Sequence, residues 1–348
     1  MRIAVLGAGS WGTAIAAHLA SSANEVRIWA REAEVVEGIN HERRNPLFLT
    51  DLEIPRGVEA YARLEDALRG AELVVMAVPS RWTREIAVQA APHVPREATV
   101  LNLAKGFDYR SGERLSVIIA EELQRDQRKG VAVLSGPNHA EEVSRRVPSA
   151  TVIACGDADL ARELQAVFSS HYFRVYTNRD VIGVEVGGAY KNVVAIAAGI
   201  LDGLGLGDNT KASLITRGLA EMARFGAALG ANPITFSGLS GVGDLIVTCI
   251  SRYSRNRGFG EELGRGRSPQ EVLQESRMVV EGVYTTGIVM DLARQRGVET
   301  PIAAGVKAIL DGDSKPAEVA SWLMTRRLKE ETEEYLYRDF LLREGSDT

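Results

Sequence analysis

Along the first half of the chain, short apolar and β-branched runs alternate with helical segments. The runs are Arg2–Leu6, Glu25–Trp29, Glu72–Val78, Thr99–Leu103, Val131–Leu134, Thr151–Ala154 and Phe173–Tyr176. Most are bounded by Gly, Pro, Asn or charge, as strands buried on both faces of a parallel sheet are. Such alternation predicts a doubly wound α/β sheet. Past about Ile182 the pattern changes. Helical stretches take over at Val184–Leu201, Lys211–Leu229, Pro269–Glu275, Val283–Arg296, Pro301–Leu310 and Pro316–Arg327, and no convincing strand follows. The expected architecture is a nucleotide domain over 1–184 and an all-helical domain over 185–348. No internal repeat or low-complexity linker interrupts it, and the polar residues Glu344–Thr348 are expected to fray.

The first run leads into Gly7-Ala8-Gly9-Ser10-Trp11-Gly12, a G-x-G-x-x-G turn that opens a helix at about Trp11. That context marks a Rossmann-type dinucleotide site. Gly7 permits the tight turn, Gly9 lets backbone approach a pyrophosphate, and Gly12 lets helix pack close on strand. The helix N-terminus then offers N–H groups and a positive dipole end. The opening residues also imitate a secretory signal, but three glycines interrupt the apolar run and Arg2 alone forms the charged region. In this fold the second strand ends near the residue that reads the ribose, where an acid favours NAD and an arginine can hold a 2′-phosphate. Here Arg31 stands at that distance with Glu32 beside it. NADPH is therefore expected to be tolerated or preferred, unless the two form only a solvated pair.

Composition narrows the class further. The 348 residues are 45% hydrophobic and 25% charged with a net charge of −5, ordinary for a globular chain. The balance gives no footprint of a nucleic-acid binder. Cys155 and Cys249 cannot build a disulfide framework, and the five histidines show no metal-ligand spacing. No uncharged apolar stretch reaches the ~18 residues of a membrane span. A cytoplasmic, metal-free protein is expected.

Polar residues on this apolar background mark the candidate chemistry. Lys105 in Asn102-Leu103-Ala104-Lys105-Gly106 follows a strand end, where ligands of such sheets bind. It is either a cation facing ligand oxygen or a plain loop lysine. Gly136, Asn138 and Ala140 follow the strand Val131–Leu134, and Asn138 before Glu141 and Glu142 also reads as an N-cap. Lys191 lies in Val181–Leu201, a stretch apolar on all faces. A lone buried ammonium is costly, so Lys191 is either paired, with Glu185 or Asp244, or poised as an acid/base. Helical periodicity sets Glu185 and Asn192 on one face, with Lys191 about 100° away. Asp208, Asn209 or Thr210 reads as an N-cap, as does Asp244. Ser251–Arg257 holds three arginines, the planar forks that match phosphate, or else forms a solvated basic loop.

In this order, the segments GAGSWGTA, VPS, AKGF, SGPNHAEE, GGAYKNVVAIAAG, DNTKASLITRGLAEM, SGVGDLIVTC, SRNRGFG and VVEGVYT resemble bacterial-type NAD(P)-dependent sn-glycerol-3-phosphate dehydrogenase. They span residues 5 to about 287, and Asn138 departs from the Ser or Thr of many relatives. The resemblance implies reversible reduction of dihydroxyacetone phosphate by NAD(P)H to sn-glycerol 3-phosphate for phospholipid synthesis. It implies Lys191 as proton donor and acceptor, with Asp244 beside the reacting hydroxyl and Lys105 touching substrate and cofactor. Ser254, Arg255 and Asn256 would hold the substrate, and Arg255 and Asn256 its phosphate. Ser10, Trp11, Arg31, Gly136, Ala140, Arg255, Val279 and Glu281 would line the cofactor, with Gly136, Asn138 and Ala140 at the nicotinamide end. Asn192, Asn209 and Thr248 would shape the site, and a homodimer is implied. The bottom-up rivals are another two-domain dehydrogenase and a dinucleotide-sensing regulator. The donors of Ser254–Arg257 argue against the first and buried Lys191 against the second.

Overall fold

A computed structural model describes residues 1–22, 24–124, 130–275, 279–328 and 330–331. The chain forms two compact units, Met1–Gly188 and Ala189–Thr348. The division falls inside the helix Val181–Gly203, which also carries the expected boundary at 184/185.

The first unit is an eight-stranded sheet: β1 (Arg2–Leu6), β2 (Glu25–Trp29), β3 (Val58–Tyr61), β4 (Leu73–Met76), β5 (Thr99–Asn102), β6 (Ala132–Ser135), β7 (Ser149–Ala154) and β8 (Phe173–Asn178). Its spatial order is β3-β2-β1-β4-β5-β6-β7-β8. Neighbouring residues of a strand serve different cores. Ile3, Val5, Leu73 and Val75 pack with Ile15, Leu19 and Leu164 of the helices Ser10–Ala20 and Ala158–Phe168. Ala4, Leu6, Val74 and Met76 pack with Leu68, Ile86 and Ile119 from the helices Leu64–Leu68, Ser80–Ala90 and Leu115–Glu122. Burial on both faces is why these strands read as unbroken apolar runs.

Two features depart from the sequence reading. The edge strand β3 was not expected, because its four residues include exposed Glu59 and offer little apolar signal. The sheet is also not wholly parallel: β6 and β7 run antiparallel, with Leu134 opposite Ile153, while β7 and β8 are parallel. Apolar content does not encode strand direction.

The second unit is helical, and among the described residues it has no strand. Its helices after Val181–Gly203 are Asp208–Ala228, Asp244–Ile250, Arg255–Gly264, Pro269–Glu275, Glu281–Arg296, Pro301–Asp311 and Pro316–Met324. Gly207 caps Asp208–Ala228, in place of the Asp208, Asn209 or Thr210 cap expected from sequence. Residues Glu344–Thr348 lie outside the described residues. Val181–Gly203 is long and apolar enough to cross a membrane by length and composition, yet 89% of its apolar window is buried inside the protein.

This helix crosses Arg255–Gly264 almost backbone to backbone. A Cβ at Gly199 would lie 1.9 Å from Arg257 O, and one at Gly203 would lie 2.2 Å from Glu261 O. Reciprocally, a Cβ at Gly260 would lie 2.0 Å from Ile196 O and one at Gly264 2.4 Å from Ile200 O. Each helix thus presents two glycines four residues apart, one turn along the same face. Nearby, buried Glu221 accepts from Tyr190 Oη at 2.7 Å and from the N–H groups of Ile302 and Ala303 at 2.9 and 3.0 Å. It caps the helix Pro301–Asp311 from a distant part of the chain.

Candidate functional site

Chain order reverses between β1 and β4, and doubly wound sheets bind ligands at the carboxyl ends of strands beside such a reversal. Gly7 follows β1 there, with φ +115°, a value natural only to glycine. A Cβ on it would meet Ala77 O at 2.9 Å, and one on Gly12 would lie 1.9 Å from Gly7 O. Gly9 is the opposite case, since a Cβ there meets nothing within 4 Å. Helix Ser10–Ala20 begins at that opening with no side-chain cap and no acid in its first turn. Its leading N–H groups lack intrahelical acceptors. Open space over an uncapped, positive helix end fits a pyrophosphate.

Further along the same sheet, Lys105 Nζ donates to Gly136 O at 2.9 Å. Asn138 Nδ2 donates to Ala150 O at 3.0 Å, which ties the turn after β6 to β7. The cap of helix Ala140–Ser144 is His139, so the N-cap reading of Asn138 is corrected. Asn138 Oδ1 and Ser135 Oγ are buried without a hydrogen-bond partner. Buried polar atoms are normally satisfied, so these two mark the turn beside Lys105 and Gly136 as unusual. Sequence reading missed Ser135, whose unpaired hydroxyl is visible only in three dimensions. At the end of β2, Arg31 Nη2 bonds Glu32 Oε1 at 2.7 Å, with the Arg31 side chain 75% exposed.

Glu185 is withdrawn from the lysine's candidate partners. Its carboxylate accepts from Arg114 Nη1 at 2.9 Å, Ser116 N at 2.9 Å and Ser116 Oγ at 2.6 Å. It caps the helix Leu115–Glu122, although burial pushes its pKa up. The sequence could not choose this partner, because Arg114 is one basic residue among many.

The second unit builds its own cluster. Lys191 Nζ pairs with Asp244 Oδ1 and donates to Thr248 Oγ1 at 3.0 Å. Thr248 Oγ1 donates to Asp244 O at 2.6 Å. Asp244 is the first residue of the helix Asp244–Ile250 and Gly243 its cap, so the N-cap reading of Asp244 is also corrected. All three residues are buried. Burial pushes the neighbouring Cys249 thiol up to about 12, so it stays protonated.

Beside the lysine in sequence, Asn192 Oδ1 accepts from Asn256 Nδ2 at 2.9 Å, and Asn256 Oδ1 accepts from Gly282 N at 2.9 Å. Ser254 caps the helix Arg255–Gly264 by accepting from Arg257 N at 3.2 Å. Arg255 Nη1 donates to Val279 O at 3.1 Å, and Glu281 opens the helix Glu281–Arg296 next to Gly282. Arg255, Asn256, Val279 and Glu281 therefore gather in one place. The three-arginine clamp does not form as such. Arg257 bonds Asp202 and Glu261 and supports the fold, and Arg252 stacks over Tyr253 with its guanidinium 5.2 Å from the ring centre. Arg255 is held by a carbonyl, Val279 O, and not by a carboxylate as Arg257 is.

Comparisons with known proteins extend these observations. Residues 2–161 match the family model for the NAD-dependent glycerol-3-phosphate dehydrogenase N-terminus, and residues 180–321 that for its C-terminus. The chain is 47% identical over 332 residues to a glycerol-3-phosphate dehydrogenase (NAD(P)+) of Chlorobium limicola, covering 95% of this chain and 99% of the relative. It is 47% identical over 333 residues to that of Geobacillus kaustophilus, covering 95% and 96%. Among solved structures it is similar to glycerol-3-phosphate dehydrogenase from Coxiella burnetii, with a TM-score of 0.88, 38% identity, and 93% and 98% of the two chains covered. A ketopantoate reductase from Ralstonia eutropha, at 19% identity and a TM-score of 0.59, shares the fold alone.

Proposed function

The chain belongs to the NAD-dependent glycerol-3-phosphate dehydrogenase family, and from that premise we propose how its residues interconvert dihydroxyacetone phosphate and sn-glycerol 3-phosphate. The product is the backbone on which glycerophospholipids are built. When bound, NAD(P)H would supply the hydride for the C2 carbon, and NAD(P)+ would accept it in the reverse direction. As the C2 carbonyl bond opens, its electron pair moves to oxygen, which needs a cation beside it and then a proton.

We assign the proton to Lys191. The buried contacts of its Nζ with Asp244 and Thr248 carry this reading. Asp244 and Thr248 fix the direction of the Nζ group. In reverse, the neutral amine accepts the hydroxyl proton from C2. Arg255 and Asn256 hold the substrate phosphate, with Ser254 setting the start of their helix. In the first unit, the turn Gly7–Gly12 with Ser10 and Trp11 holds the pyrophosphate. Gly136, Asn138 and Ala140 take the nicotinamide end, and Lys105 contacts substrate and cofactor. Val279 and Glu281 complete the cofactor contacts, and Arg31 meets the ribose 2′-phosphate of NADPH. Domains over 1–184 and 185–348, a cytoplasmic setting, metal-free chemistry and a homodimer belong to the same proposal.

The test follows NADPH absorbance with dihydroxyacetone phosphate as substrate. A positioned general acid contributes about 10²–10⁴-fold, so Lys191→Ala is expected to lose at least ~100-fold in kcat while NADPH Kd stays within about twofold. Near-normal turnover in that variant would sink the assignment.

A further inference from the structure

Between β2 and β3 the chain makes an excursion whose tip returns to the glycine-rich turn. Arg43 shapes its base, with a positive φ of 55° and donations to Ile54 O at 3.1 Å and Val58 O at 3.0 Å. The excursion delivers Asn45, which is 0% exposed. Asn45 Oδ1 accepts from Leu47 N and Phe48 N, both at 3.0 Å. Its Nδ2 donates to Ala8 O and Thr13 Oγ1, both at 2.9 Å. Thr13 Oγ1 donates to the same Ala8 carbonyl at 3.2 Å. The amide orientation is fixed by chemistry, because a backbone N–H only donates and a carbonyl only accepts.

Ala8 stands between Gly7 and Gly9, so its carbonyl and the Gly9 N–H share one peptide plane. In a trans peptide these two groups point in opposite directions. Holding the carbonyl inward on Asn45 and Thr13 therefore turns the Gly9 N–H away from them. A flip of that plane turns ψ of Ala8 and φ of Gly9, and Gly9, having no Cβ, offers little steric resistance to it. We propose that Asn45 is a positioning residue that locks the Ala8–Gly9 peptide with its N–H set for the cofactor pyrophosphate. Thr13 acts with it as the second donor. This rests on the reading of Gly7–Gly12 as the dinucleotide turn.

The experiment titrates NADPH by its fluorescence into wild type, Asn45→Ala, Asn45→Asp, Thr13→Val and Thr13→Ser, with Tm and steady-state kinetics for each. Asn45→Asp keeps the acceptor for Leu47 and Phe48 but sets a carboxylate oxygen against the Ala8 carbonyl, so it isolates the donation. The expected result is an NADPH Kd raised at least ~10-fold in both Asn45 variants and in Thr13→Val, one charge-assisted hydrogen bond being worth about that much. Thr13→Ser should restore Kd to within about twofold. At saturating NADPH, kcat and the KM for dihydroxyacetone phosphate should stay within about twofold. Lowered Tm with unchanged Kd would overturn the proposal, leaving Asn45 a merely structural residue. Should Asn45→Ala fail to fold, the Asp and Thr13 variants decide alone. Wild type that binds no NADPH would instead overturn the dinucleotide reading beneath it.

Discussion

Replacing Gly199 by alanine sets a methyl group into the crossing that holds Arg255 and Asn256 against the helix of Lys191 and Asn192. The new Cβ would lie 1.9 Å from Arg257 O and 2.8 Å from Glu261 N. Both are backbone atoms, so no side-chain rotation relieves the overlap. Reaching an ordinary contact of about 3.4 Å requires the helices to part by roughly 1.5 Å, since close-packed interiors do not absorb such a volume. The Asn192–Asn256 bond spans the same pair of helices at 2.9 Å. A parting of that size takes it beyond about 3.5 Å, where it ceases to be a hydrogen bond. Arg255 and Asn256 would then shift against Lys191, and a misplacement of about 1 Å costs roughly 100-fold in rate. Overpacking adds a stability loss of about 1–3 kcal/mol. The assay is kcat/KM for dihydroxyacetone phosphate at saturating NADPH, alongside urea unfolding. Gly258→Ala is the control. It lies in the same helix but its Cβ would meet nothing within 4 Å, so it should be neutral or stabilise by up to about 1 kcal/mol. A folded Gly199→Ala variant with kcat/KM within twofold of wild type would refute the reasoning.

Two further outcomes are expected. Arg31→Ala should lower the ratio of kcat/KM for NADPH over NADH by about 10–100-fold, the worth of charged hydrogen bonds to a phosphate; an unchanged ratio leaves Arg31 to its pairing with Glu32. His18 Nε2 donates to Phe168 O at 2.8 Å, so Nδ1 accepts from Tyr172 Oη at 2.7 Å, and burial lowers the ring's pKa from 6.5. The unfolded chain therefore binds the extra proton first. Stability is retained above pH 6.5 and falls as the pH drops below it, until the folded ring also protonates, by at most about 1.4 kcal/mol per pH unit. Urea midpoints of His18→Gln measured across that window should lack this increment, and parallel curves for the two proteins would contradict it.

What could be read from the sequence had local causes. The turn Gly7–Gly12 was legible because a tight turn, an open approach and a close packing each demand glycine at a fixed spacing. Lys191 was legible because an ammonium in an apolar helix needs an explanation wherever it folds. Its partner was not, since Glu185 and Asp244 satisfy the same requirement until the chain is folded. The caps failed for a related reason. Asp208, Asn138 and Asp244 are good cap types, but Gly207, His139 and Gly243 hold those positions. Meanwhile, carboxylates from elsewhere, Glu185 and Glu221, serve the helix starts at Ser116 and Ile302. Asn45 gave no local signal, because its bonds to Ala8 and Thr13 cross more than thirty positions of chain.

The apolar helix Val181–Gly203 also has a history on the ribosome. By length and composition alone it is long and apolar enough to cross a bilayer. The glycines that will lie against it in Arg255–Gly264 are made roughly 60 residues later, a delay of about 3–12 s at usual synthesis rates. During that interval the apolar helix lacks the cover that Gly260 and Gly264 give it in the folded protein. Slowing translation just after residue 203 would lengthen this exposure, and speeding it would shorten it, without altering a single contact of the finished protein.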